Sequence, residues 1–188
     1  MVRSLSVKRT NPSTHQAKLY IWHPLIRWVH LFLISVFILN YYILEAGSNI
    51  HQWLGYGALS VVIVRIVWSF YTSGYGSLKL IRMTPAGFRE HLAHVRARHI
   101  PADSGHNPIG WLFVLGCWLL FMALAVSGFL FEEIDRFFGN STLEWLHGLF
   151  ADTLLVLVII HIAAVVLVGR LGRVQLIRAM ITGRRDPN

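Results

Sequence analysis

The stretch LHGLFADTLLVLVIIHIAAVVLV, residues 146–168, is apolar for long enough to cross a bilayer, which takes roughly 20 residues of helix. It also carries two histidines 14 residues apart, His147 and His161. On a helix that interval rises about 21 Å and returns to within roughly 40° of the same face. One face of this span therefore offers an imidazole at each of two membrane depths.

Three other runs are comparable: 25–44, following Pro24, which suits a first helical turn; 51–70; and 109–131, following Asn107-Pro108. The composition agrees, with 55% hydrophobic and only 14% charged residues and a mean hydropathy of +0.54. The fold expected is an all-α integral membrane four-helix bundle over 23–170, between basic tails 1–22 and 171–188. The first 20 residues are polar and basic without the apolar segment of a cleavable signal, so the first run reads as a retained span. The joints between spans one and two and between three and four are short. Between spans two and three lies a polar stretch, 71–107. There Thr84-Pro85 reads as the start of a short basic surface helix, with Phe88, Leu92 and Val95 at helical intervals.

Charge sets the orientation. Arg3, Lys8, Arg9, Lys18 and Arg27 lie at or before the first span. Lys79, Arg82, Arg89, Arg96 and Arg98 lie in the long loop, and Arg170, Arg173, Arg178, Arg184 and Arg185 follow the fourth span. The opposite joints hold Glu45, Glu132, Glu133, Asp135 and Glu144 against Arg136 alone. By the positive-inside rule both termini and the long loop face the cytoplasm. The net charge of +8 is thus juxtamembrane, and no nucleic-acid partner is expected. Cys117, the single cysteine, leaves no intramolecular disulfide, no Cys-rich zinc or iron–sulfur site and no covalent c-type haem. Inside an apolar run it reads as a core residue.

His30 lies near the cytoplasmic end of span one, and His51 opens span two on the outer side. By depth, His51 pairs with His147 outside and His30 with His161 inside. Two imidazoles facing each other across a bundle are the axial ligands of a six-coordinate haem. Two pairs imply two b-type haems stacked across the bilayer, with His30, His51, His147 and His161 on the iron. Zinc also takes clustered histidines, but the two levels are too far apart for one ion. Span three, without histidine, reads as packing and wall. Gly55, Gly116, Gly128 and Gly148 give room for a flat ring or for a neighbouring helix.

Arg65 stands as the clear charge within a span, on the face of His51 but at cytoplasmic depth. Two roles stay open for it, an inner haem propionate partner or a side chain snorkelling to the interface. His23 could replace His30 only if span one slid by two turns, and its place before Pro24 argues against that. His91, His94, His99 and His106 read as solvated loop residues. Trp22, Trp28, Trp53, Trp68, Trp111 and Trp145 near span ends read as aromatic belts.

These residues resemble the bacterial cytochrome b561 and nickel–iron hydrogenase cytochrome b superfamily. The run Trp22-His23-Pro24-Leu25-Ile26-Arg27-Trp28-Val29-His30 is similar to its R-x-x-H start. So are His51-x-x-x-Gly55, Arg65-x-x-Trp68, His106-Asn107-Pro108-x-Gly110 and the pair His147 and His161. The resemblance spans about residues 20–170. It implies two haems b, quinone or quinol as membrane substrate, and a periplasmic c-type cytochrome or other redox protein as partner. Many relatives carry an acidic residue where His23 stands, so no role transfers there. The function expected is electron transfer across the inner membrane between the quinone pool and a redox partner. The alternatives are a self-contained superoxide:quinone oxidoreductase and a cytochrome b anchor of a hydrogenase-like complex. The acidic outer joints weigh against the first, since superoxide is drawn by positive charge.

Overall fold

Helix α1 (Pro24–Ile38) begins where His23 Nδ1 accepts a hydrogen bond from Leu25 N at 3.2 Å and Pro24 fills the first turn. In this computed structural model the described residues are 19–73, 76–78, 85–97 and 108–185. His99, His106, Asn107, Thr84 and the outer parts of both tails lie outside them, as do the side chains of Phe88, His91, Leu92 and Val95.

Helix α1 runs into a π-helical turn, Leu39–Ile43. Helix α2 (Asn49–Tyr71) is capped by Ser48, whose Oγ accepts from His51 N at 3.3 Å. Then follow α3 (Pro85–Arg96), α4 (Pro108–Glu133), a single 3-10 turn, and α5 (Ser141–Leu171). The expected short helix in the long loop is therefore present as α3. Four segments have the length and apolar character of membrane spans: Pro24–Ile43, Asn49–Tyr71, Ile109–Glu133 and Ser141–Leu171. The last exceeds the apolar run at both ends. Asn140 Oδ1 accepts from Leu143 N at 3.1 Å and starts the helix in its polar first turn, ahead of the hydrophobic signal.

Ring and hydrogen-bond contacts fix the arrangement. Early α1 meets late α5 through His30 and His161, while the starts of α2 and α5 meet through His51 and His147. Tyr56, early in α2, touches Phe129, late in α4. Helices α1 and α4 thus run opposite to α2 and α5, and both described chain ends lie at one end of the bundle, called here the terminal end. The interior is thin. Val62, Trp111 and Trp118 form its main cluster with Leu33, Ile66 and Phe121 around them. Ala58 and Ala125 are buried, small residues that let helices approach closely. Around the perimeter Ile159, Ile160 and Leu167 are more than half exposed, as expected where lipid is the solvent.

The flanks expected as two separate tails meet at the terminal end. Strand β1 (Leu19–Tyr20) pairs antiparallel with β2 (Arg184–Arg185), which follows the short helix α6 (Leu176–Thr182). Ile21 and Trp22 bury themselves with Ile26 and Ala179. Arg27 donates from Nε to Met180 O at 3.1 Å and from Nη2 to Ile181 O, satisfying carbonyls that the end of α6 leaves unpaired. These apolar residues are too few for a hydropathy signal, yet enough for a small cluster. The tryptophans divide accordingly. Trp28, Trp53 and Trp145 are exposed, as belt residues are, whereas Trp22 and Trp111 are buried and Trp68 packs beside the Trp22 cluster. For those three, packing in the protein replaces the belt role.

Candidate functional site

The four span histidines come together as two pairs. His51 and His147 have ring centres 6.1 Å apart at the far end, and His30 and His161 have ring centres 6.5 Å apart toward the terminal end. An imidazole nitrogen binds a metal at about 2 Å, and the ring centre lies about 1 Å behind it. Two imidazoles on opposite sides of one metal plane therefore bring their centres about 6 Å apart. Both pairs have that spacing. Among the described residues no three His, Cys, Asp or Glu side chains gather. Two imidazoles per level suit a metal whose remaining ligands come from a macrocycle, and are too few for zinc, which takes three or four protein ligands.

Helix α4 is more than a wall. Ser127 Oγ donates to Leu124 O at 3.1 Å and lies 2.9 Å from His147 Nδ1. The hydroxyl proton being used on the carbonyl, Oγ accepts from Nδ1–H, which leaves His147 Nε2 with the lone pair a metal needs. Fourteen residues earlier on α4, Phe113 stacks on His161 with ring centres 4.2 Å apart and planes 12° apart. The Phe113–Ser127 interval equals the His147–His161 interval and runs in the opposite direction, so α4 holds both α5 imidazoles. Gly128 completes the fit at the far end, where a Cβ would stand 3.3 Å from His147 Cε1. Among the described residues, His30 Nδ1 and His51 Nδ1 are buried without a hydrogen-bond partner.

Between His51 and His147 opens a cavity of about 290 Å³, lined by Gly55, Gly128, Phe121 and Leu124 among others. At Gly55 an added Cβ would meet nothing within 4 Å, so the helix face is open there. Asn40, on the π-helical turn, donates from Nδ2 to His51 O at 3.2 Å and ties that turn to the start of α2.

Arg65 is 4% exposed. Its Nη2 donates to Gly76 O at 2.9 Å, and the guanidinium lies 5.1 Å from the Trp68 ring centre and 5.4 Å from that of Trp118. Nη1 is buried with no hydrogen-bond partner among the described residues. The side chain is thus held among aromatic rings rather than extended to the interface. His23 caps α1 and sets its ring 5.2 Å from Trp68, away from the His30–His161 pair.

Sequence reasoning passes over Ser127, Phe113, Tyr41 and Asp152. The 14-residue interval on α4 carries the first two. Asp152 is an ionisable residue inside the fourth run, so Arg65 is not alone there. It accepts a hydrogen bond from Tyr41 Oη at 2.7 Å.

The sequence model of a family described as prokaryotic cytochrome b561 matches residues 10–183. No curated protein and no solved structure matches the chain.

Proposed function

The chain belongs to the prokaryotic cytochrome b561 family, and from that premise we propose that it is a di-haem cytochrome carrying electrons across the bacterial inner membrane between the quinone pool and a redox partner. Membership makes it a membrane b-type cytochrome of electron transfer. The finer reading is carried by one observation: two histidine pairs, each with the spacing of axial ligands, set at two depths of one bundle. His51 and His147 would hold one haem b, and His30 and His161 the other. When bound, each iron cycles between ferric and ferrous states and so carries one electron.

The chain's own residues set the conditions for that. Ser127 fixes the His147 tautomer, Phe113 fixes the plane of His161, and Gly55 and Gly128 leave room beside the ring. Held by a histidine pair, each haem would have no position left for oxygen, which would favour electron transfer over oxygen binding. Arg65 Nη1 offers a donor to a propionate of the haem nearer the terminal end. The excess of Lys and Arg at that end supports a cytoplasmic location for it, with the long loop on the same side. The single domain is taken as 23–170, with the flanking segments as basic extensions. Lipid, a quinone and a periplasmic c-type cytochrome or similar redox protein are the partners this reading requires.

A reduced-minus-oxidised spectrum with a pyridine haemochrome assay of purified protein tests it. Two b-type haems per chain are expected. Absence of b-type bands overturns the haem assignment, and a haem stoichiometry of one overturns the two-level reading.

A further inference from the structure

The two histidine levels share one frame but differ in the chemistry set around them. On α4 the two contacts to the α5 imidazoles stand fourteen residues apart, and they differ in kind. Ser127 Oγ accepts from Nδ1–H of His147 at 2.9 Å, whereas Phe113 lays an apolar ring on His161, with ring centres 4.2 Å apart. A hydrogen bond from Nδ1–H makes an imidazole a more basic ligand. A more basic ligand stabilises ferric over ferrous iron and so lowers the reduction potential of the iron it holds. The serine gives that effect at the far end, and the phenyl ring at the other level does not.

Charge divides the same way. On α2, Arg65 follows His51 by 14 residues, about 21 Å deeper and within roughly 40° of the same face. That is the interval from His147 to His161 on the parallel helix α5, so Arg65 stands at the level of His161. Its side chain is 4% exposed, and little water screens its charge. At the far level, the cavity between His51 and His147 has Glu132 and Glu144 in its wall and, among the described residues, no Lys, Arg or Asp. A negative charge favours ferric iron and a positive charge favours ferrous iron. Glu132 is half-buried and Glu144 exposed, so the buried guanidinium has the largest effect of the three. Hydrogen bonding and charge act in one direction.

We propose that the two sites have unlike reduction potentials, the His51–His147 site the lower and the His30–His161 site the higher, so that electrons pass downhill from the far end to the terminal end. In that step the far-end iron is oxidised and the terminal-end iron reduced, with one electron moved and no proton. Ser127, Glu132 and Glu144 lower the first potential, and Arg65 raises the second. The inference rests on the di-haem reading above and adds the direction in which the bundle conducts.

Spectroelectrochemical titration of haem-loaded protein in lipid nanodiscs tests this. His30→Ala/His161→Ala and His51→Ala/His147→Ala proteins, each with one haem, assign each wave to its level. Two one-electron waves about tenfold or more apart in reduction equilibrium, roughly 59 mV, are expected, with the far-end wave lower. Arg65→Gln should lower the terminal-end wave and leave the far-end wave in place, while Arg65→Lys, which keeps the charge, should lie nearer the wild type. Glu132→Gln combined with Glu144→Gln should raise the far-end wave alone, and it leaves the packing around Arg65 untouched if Arg65→Gln does not fold. The reverse order, coincident potentials, or waves indifferent to these charge changes overturns the ordering and leaves the di-haem reading standing. Fewer than two haems per wild-type chain overturns both.

Discussion

Ser127 Oγ and His147 Nδ1 stand 2.9 Å apart, and this contact gives a helix without histidine a say in the chemistry of the span beside it. Because the serine proton is committed to Leu124 O, the imidazole must donate from Nδ1. Ser127→Ala removes that constraint. Partners of this kind commonly contribute about 10- to 100-fold in metal affinity, so haem retention at the far-end site should fall by that order. Competition with an apo-haemoprotein acceptor would measure it, and the second haem should dissociate as in the wild type.

Gly128 makes a sterically independent prediction at the same site. A Cβ there would stand 3.3 Å from the His147 ring, so Gly128→Leu drives a side chain into the space the imidazole needs. The variant should keep one haem per chain, read as a halved pyridine haemochrome signal with unchanged protein yield. An unaltered haem content would show that the ring has room to move.

Phe113 gives the matching prediction at the other level. Its ring lies on that of His161 at 4.2 Å, a stacking contact worth about 0.5–1.5 kcal/mol. Phe113→Ala should shift the midpoint potential or the low-spin resonance of one haem only, and Phe113→Leu should restore part of the packing without the stack. Equal effects on both haems would contradict the pairing of Phe113 with one level.

The four spans and the two histidine pairs were legible because each rests on a long-range regularity: apolar runs, a charge asymmetry, and a 14-residue interval that keeps His147 and His161 on one face. What supports them was less legible for physical reasons. Ser127 and Phe113 are ordinary residues of a membrane helix until α5 lies beside them in antiparallel register. Trp111 looks like a belt residue at a helix end, and only the packing of α2 against α4 buries it. Asp152 is a lone acid in a long apolar run that the sequence reading passes over, and its partner Tyr41 comes from another helix and a π-helical turn. Ile21, Trp22 and Ala179 form a cluster across the whole chain length, which no local pattern reveals.

That cluster depends on Gly183. Its φ is +78°, and a Cβ would stand 3.0 Å from Trp22 O, while Ile21 N and Trp22 N donate to its carbonyl. Gly183→Val combines a clash with a strained backbone, a cost of about 1–3 kcal/mol. Trypsin should then cut faster at Arg184 and Arg185, with the haem spectrum preserved. Gly183→Asn should be milder, because asparagine tolerates the left-handed region.

Haem stoichiometry across paired histidine substitutions tests the central claim most directly. His30→Ala and His161→Ala, alone or combined, should each leave one haem per chain, and so should His51→Ala and His147→Ala. Combining one member of each pair, as in His30→Ala with His51→Ala, should leave none. A His30→Ala/His161→Ala protein without haem, or a His30→Ala/His51→Ala protein that keeps one, would contradict the assignment of ligands to two levels.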